Sequence, residues 1–125
     1  MKKILLDTNF FLAPFQTGVN VMSELDRIMT EPFELMTISP VKTELEKIVR
    51  TAKGDDKICA RLGAELARNI KVEEARGQGD DAIMLYLRDR KNIIVATNDS
   101  NLRKTLKKEK IRTIFVKNKS KLDIE

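Results

Sequence analysis

Histidine is absent from this chain, and so is tryptophan. Without histidine there can be no Ser-His-Asp or Cys-His nucleophile and no His-borne phosphate. Acid–base or metal work must then fall to carboxylates, lysines, hydroxyls or water. The single cysteine, Cys59, excludes an internal disulfide and a zinc-type Cys/His cluster. It lies in a helical stretch, where it reads as a small buried hydrophobe. Aromatic residues make up only 5%, so the core must be aliphatic. No apolar run approaches the ~18–20 residues of a membrane span. The apolar start, Ile4-Leu5-Leu6, is cut by Asp7 and Asn9 before it reaches the length of a signal segment. The expectation is a cytoplasmic protein with no membrane association and a reducing environment.

What is present fits one compact domain spanning 1–125. Hydrophobic residues are 42% and charged residues 34%, enough for a real core and too apolar for disorder. The net charge of +5 is unevenly spread: residues 1–102 carry 15 basic and 16 acidic side chains, whereas 103–125 carry 9 basic and 3 acidic. The basic segment 103–121 reads either as a polyanion-binding surface or as a solvated helix face and tail.

Apolar periodicity alternates between strand and helix. Ile4-Leu5-Leu6 is a short strand. Residues 20–30 place Val21, Met22, Leu25, Ile28 and Met29 on one helical stripe, with Asn20 as cap. Residues 33–38 form a strand, and Ser39-Pro40 opens a helix with Ser39 able to cap and Pro40 in the first turn. Its inner side is Val41, Leu45, Ile48 and Val49. A helix from Gly54-Asp55 should turn Ile58, Leu62, Leu66 and Ala67 inward. A short strand at 70–72, a helix from Gly79 to about Arg90, a buried strand at 92–97, a helix from Asn98-Asp99-Ser100 to about Lys108 and a last strand at 111–116 complete the chain. The order predicts an α/β domain: a five-stranded parallel sheet with helices on both faces.

In such sheets ligands bind beyond the carboxyl ends of the strands. Ile-Leu-Leu-Asp7 and Ile-Val-Ala-Thr97-Asn98-Asp99 both end in acids, and Glu44, Asp80 and Asp81 lie near the starts of two helices. Helix N-termini favour acids singly, by ~0.3–1 kcal/mol. Four acids aimed at one cleft repel, and either a raised pKa or a cation must compensate. A donor set without nitrogen or sulfur suits Mg²⁺ or Mn²⁺, which can bridge a phosphate oxygen and activate water.

These residues resemble the PIN-domain nuclease family. The resemblance is carried by Leu5-Leu6-Asp7-Thr8-Asn9-Phe10-Phe11-Leu12, Ser39-Pro40-Val41-Lys42-Thr43-Glu44-Leu45, Gly79-Asp80-Asp81-Ala82-Ile83 and Ala96-Thr97-Asn98-Asp99-Ser100-Asn101-Leu102-Arg103, in the family's order across nearly the whole chain. It implies a carboxylate pocket for one or two Mg²⁺ or Mn²⁺ ions and endonucleolytic cleavage of single-stranded or structured RNA. It makes Asp7, Glu44, Asp81 and Asp99 the acidic cluster, with Asp80 as a further metal ligand, and Asn9 and Thr97 as supporting polar residues. The family includes VapC-type toxins, which act beside an antitoxin partner, and nucleases of ribosomal-RNA processing. The Gly-Asp-Asp-Ala-Ile run and the lysine-rich end lean slightly toward processing, and the partner implied is an antitoxin or a ribosome-assembly factor. Arg103, Lys104 and Lys107 are the expected RNA contacts. Phe10, Phe11 and Phe15 read as core or dimer residues, and apolar surface at 10–15 and 20–30 predicts a homodimer. The competing reading is a non-catalytic RNA-binding module of the same fold. A phosphorylation receiver is the least favoured reading, because Asp7 has no acidic neighbour and the middle strand leads to Glu73-Glu74.

Overall fold

Strands that are apolar on both faces belong inside a sheet, and the two that end in Asp7 and Thr97 lie there side by side. The computed structural model describes residues 1–125. Its elements are β1 (Lys2–Leu6), α1 (Thr8–Thr17), α2 (Val21–Ile28), β2 (Phe33–Ile38), α3 (Ser39–Thr51), α4 (Asp55–Ala67), β3 (Lys71–Glu73), α5 (Gly79–Leu87), β4 (Ile93–Ala96), α6 (Ser100–Lys108), β5 (Thr113–Lys117) and β6 (Lys121–Ile124). The sheet order is β3-β2-β1-β4-β5-β6. All neighbours are parallel as far as β5, as the alternating pattern requires. No helix is long and apolar enough to cross a membrane.

A sixth strand is added to the five expected from sequence. β6 pairs antiparallel with β5 and turns the end of the basic segment into sheet rather than tail. Its outer edge is covered by side chains of α2. The Leu122 N–H donates to Glu24 Oε1 at 2.9 Å, and Arg27 donates to the Leu122 carbonyl at 2.8 Å. Glu24 and Arg27 also pair with each other at 3.0 Å. The Ile124 N–H is taken by the Asp123 carboxylate. These side chains occupy backbone groups that an open edge would offer to another strand.

Residues 8–17, to which the sequence pattern assigned no helix, form α1. Its middle, residues 10–15, is an unbroken apolar run that contains Pro14, so it shows no amphipathic stripe. The structure supplies what the pattern hides: an Asp7 side-chain cap at one end and Gly18 at φ 79° closing the other. Phe10 and Phe11 are core, while Phe15 and Met22 remain exposed. Ser39 is not a helix cap. It stands inside α3, and its hydroxyl exchanges hydrogen bonds with the Ala75 backbone.

The expected inward face of α4 is corrected in part: Ala67 is buried and Leu66 packs partly buried against the core, as expected. Ile58 and Leu62 are exposed, at 56% and 44%, and Cys59 is only half-buried. The buried face is Ala60, Gly63 and Ala67. Small residues let the helix backbones approach closely: a Cβ on Gly63 would lie 3.0 Å from the Phe11 carbonyl oxygen and 3.1 Å from the Leu12 side chain. Gly63→Val is therefore expected to destabilise by roughly 1–3 kcal/mol, as overpacking does. Denaturant unfolding tests this; an unchanged midpoint would show that α1 and α4 can part freely.

Candidate active site at the β1–β4 crevice

Sheet order reverses between β1 and β4, and an α/β crevice opens at such a point. The register pairs Leu6 with Ala96, which brings Asp7 beside Thr97 just past the strand ends. The Asp7 N–H donates to the Ala96 carbonyl at 3.0 Å and fixes this alignment. From β2, the Thr37 hydroxyl donates to the Leu6 carbonyl at 2.7 Å and closes the rim from the other side.

Asp7 is only 8% exposed. Three donors hold its carboxylate. The Thr8 N–H reaches Oδ1 at 2.8 Å, the Thr97 hydroxyl reaches Oδ2 at 2.7 Å, and the Asn9 amide reaches Oδ2 at 3.3 Å. Burial raises its pKa above the ordinary aspartate value. The bonds from Thr97 and Thr8 oppose that rise, and the charges of Glu44 and Asp99 add to it. Burial with hydrogen bonds on both oxygens pins the group in one orientation, with its charge incompletely compensated.

The remaining acids surround it. Asp99 caps α6, with Oδ1 accepting from the N–H groups of Asn101 and Leu102 at 2.8 and 3.0 Å. Its own N–H donates to the Thr97 hydroxyl oxygen at 3.1 Å, so Thr97 joins both aspartates. Glu44, in the second turn of α3, accepts from the Thr8 hydroxyl at 3.1 Å. Thr8 thus links the first strand's acid to the third helix, a role that a turn residue in the sequence did not signal. Asn9 bridges further: its carbonyl oxygen accepts from the Asn98 N–H at 2.9 Å. The Asn98 side chain in turn accepts from the Val116 N–H at 2.8 Å and ties the turn to β5.

Asp80 and Asp81 both begin α5 and both are exposed. Their surroundings separate them. The pKa of Asp80 is raised, first by desolvation and then by Asp99 and Asp7, ahead of its own neighbour Asp81 and of Glu44. Asp80 therefore feels the β1–β4 rim directly.

Oxygen is the only donor type here, which fits a hard divalent ion. As the side chains stand, no group of three acids is close enough to enclose one. Asp80 makes no side-chain hydrogen bond and Glu44 has one contact to give up, so both can swing toward a cation. The donor chemistry and the mutual repulsion fit such an ion.

Arg103, expected from sequence as an RNA contact, already has partners within the protein. Its guanidinium lies over the Phe115 ring at 3.6 Å and pairs with Glu125 at 3.0 Å. Lys104 and Lys107 remain exposed on α6.

The raised pKa of Asp7 has a defined sign for stability. A carboxylate whose folded pKa lies above its unfolded value destabilises the fold when ionised, and that cost disappears as pH falls through the folded pKa. In EDTA at neutral pH, Asp7→Asn is expected to melt at a higher temperature than wild type, with the gap narrowing as pH falls. Thermal melts across pH check this; a lower melting temperature for the variant at neutral pH would contradict it.

The chain matches the sequence pattern described as a PIN-like domain over residues 4–119. It is 35% identical to ribonuclease VapC4 of Methanocaldococcus jannaschii, across 99% of this chain and 97% of that protein. It is 28% identical to ribonuclease VapC9 of Archaeoglobus fulgidus, across 96% of this chain and 87% of that one. Among solved structures it resembles the PIN-domain endonuclease Utp24, with a TM-score of 0.77 and 24% identity over 98% of this chain and 90% of the other. Sequence pattern, relatives and the acid-ended β1–β4 crevice agree: the chain belongs to the PIN-domain family.

Proposed function

We propose that the protein is a divalent-metal-dependent endoribonuclease of the VapC type, hydrolysing phosphodiester bonds in single-stranded or structured RNA. The observation that carries this is Asp7: a buried carboxylate fixed by three donors, with Glu44, Asp99 and Asp80 around it. The ribonuclease names of the two relatives supply the substrate class. They favour the toxin-type reading, with an antitoxin as partner, over the processing role suggested by the Gly-Asp-Asp-Ala-Ile run and the lysine-rich end.

In this reading Asp7, Glu44, Asp80 and Asp99 hold Mg²⁺ or Mn²⁺. When bound, the ion supplies Lewis acidity toward the phosphoryl oxygen and a more acidic water. The chain's own residues set the geometry. Thr97 orients Asp7 and Asp99 together, Asn9 keeps the Asp7 carboxylate facing the crevice, and Thr8 holds Glu44 toward it. Asp80 replaces Asp81 as the preferred fourth acid, because the charges of Asp7 and Asp99 reach it. Lys104 and Lys107 supply cationic surface for RNA. Exposed Phe15 and Met22 supply apolar surface for a homodimer.

Cleavage of a labelled single-stranded RNA tests the proposal. Cutting should require Mg²⁺ or Mn²⁺ and stop in EDTA. Loss of a group that merely orients a metal ligand costs about 10–100-fold, so Thr97→Val should fall in that range. Asp7→Asn should lose more, beyond about 100-fold. Asp80→Asn should lose more activity than Asp81→Asn. A folded wild-type protein that binds the RNA yet cuts it in neither metal would replace this reading with a non-catalytic RNA-binding module.

A further inference from the structure

A polar groove of about 660 Å³ opens between α3 and the loop that leads into α5. Glu44 lines it, so the groove and the carboxylate cluster share a wall. Its volume lies within the roughly 300–1,000 Å³ typical of ligand clefts. Lys47 lines the same groove one helical turn beyond Glu44, on the same face of α3. The Lys47 ammonium is exposed and takes part in none of the six ion pairs of the molecule. Thr43 and Gln78, also on the groove, are exposed and leave their side-chain polar groups free.

The walls are held in place. Ser39 ties the α5-leading loop to α3 through both backbone groups of Ala75, at 3.0 and 3.3 Å. Gly77 sits at φ 94°, and a Cβ there would lie 3.3 Å from the Ala82 α-carbon. Only one lining residue is hydrophobic, and none is aromatic. Single-stranded RNA binds through base stacking on aromatic rings, through backbone phosphates, or through both. A groove with a free ammonium and nothing to stack on suits the second, and its hydroxyl and amide can add hydrogen bonds to phosphate and sugar oxygens.

We propose that this groove binds the sugar–phosphate backbone of the RNA strand on one side of the scissile phosphate, with Lys47 as the phosphate contact. The inference takes its substrate class from the ribonuclease reading above. It adds a direction: the strand leaves the carboxylate cluster past Glu44 along α3. It also adds a property, that recognition on this side of the cut is indifferent to base.

The test is binding of labelled ten-nucleotide oligo-U and oligo-A to the full-length protein in EDTA, by fluorescence anisotropy across a salt series. Lys47→Gln should weaken both oligonucleotides alike, about fivefold at moderate salt. It should lower the slope of log affinity against log salt by about 0.7, the value for one phosphate contact on a single strand. Lys47→Arg should restore both. Lys47 is exposed on a helix surface, so the variants keep the fold, which circular dichroism verifies. Unchanged affinity and slope in Lys47→Gln, a loss confined to one oligonucleotide, or no RNA binding by wild type would each overturn the proposal. Metal-dependent cleavage with Lys47-independent binding would overturn the groove and leave the nuclease standing. Lys47-dependent binding without cleavage would retain the groove and remove the nuclease.

Discussion

A carboxylate held out of water at the end of a central strand has to be matched by donors, and the requirement at Asp7 organises everything around it. Two of its three donors come from its own turn, Thr8 and Asn9, and the third comes from Thr97 on the adjacent strand. The β1–β4 register cannot slip without breaking the Thr97 contact, because a one-residue shift would turn each side chain to the other face. The same Asp7 caps α1, so the strand, the turn, the helix and the acid are fixed by one side chain.

The neighbours of Asp7 extend the constraint outward. Thr8 reaches Glu44 on α3, Thr97 accepts from the Asp99 backbone, and Asn98 reaches β5. Acids that would otherwise repel are thereby held near one another by neutral donors, and no lysine or arginine pairs with Asp7, Glu44, Asp80 or Asp99. Concentrated negative charge with its cationic partners kept elsewhere suits a site that gains its compensation from a bound ion. Of the cationic side chains, Lys47 lies beside Glu44 on the α3 groove, whereas Lys107 stands at the far end of α6 next to Lys110–Thr113.

Much of this was legible in the sequence because strand ends carry their chemistry in order. Ile-Leu-Leu-Asp and Ile-Val-Ala-Thr-Asn-Asp announced two buried parallel strands with acids on one rim, and the structure sets them adjacent. What was hidden had physical reasons. A helix whose middle, Phe10–Phe15, is an unbroken apolar run with a proline inside it shows no amphipathic period. On α4 the buried face belongs to alanine and glycine, because close approach to α1 outweighs the larger hydrophobes on the other side. The strand β6 is held by α2 side chains about a hundred residues away, which no local pattern reveals. Thr8 and Thr37 read as ordinary strand and turn residues, since a hydroxyl's partner is decided by topology. Asp80 and Asp81 are adjacent and identical in sequence, and only the structure shows that the charges of Asp99 and Asp7 bear on Asp80.

The central claim is that the acids around Asp7 form an ion site. Titrating Mn²⁺ into wild type and Asp7→Asn while following the thermal midpoint tests it without any substrate, since a ligand that binds only the folded state raises that midpoint. The account predicts a concentration-dependent rise for wild type and little or none for Asp7→Asn. An equal response in the two proteins, or no response in either, would contradict it.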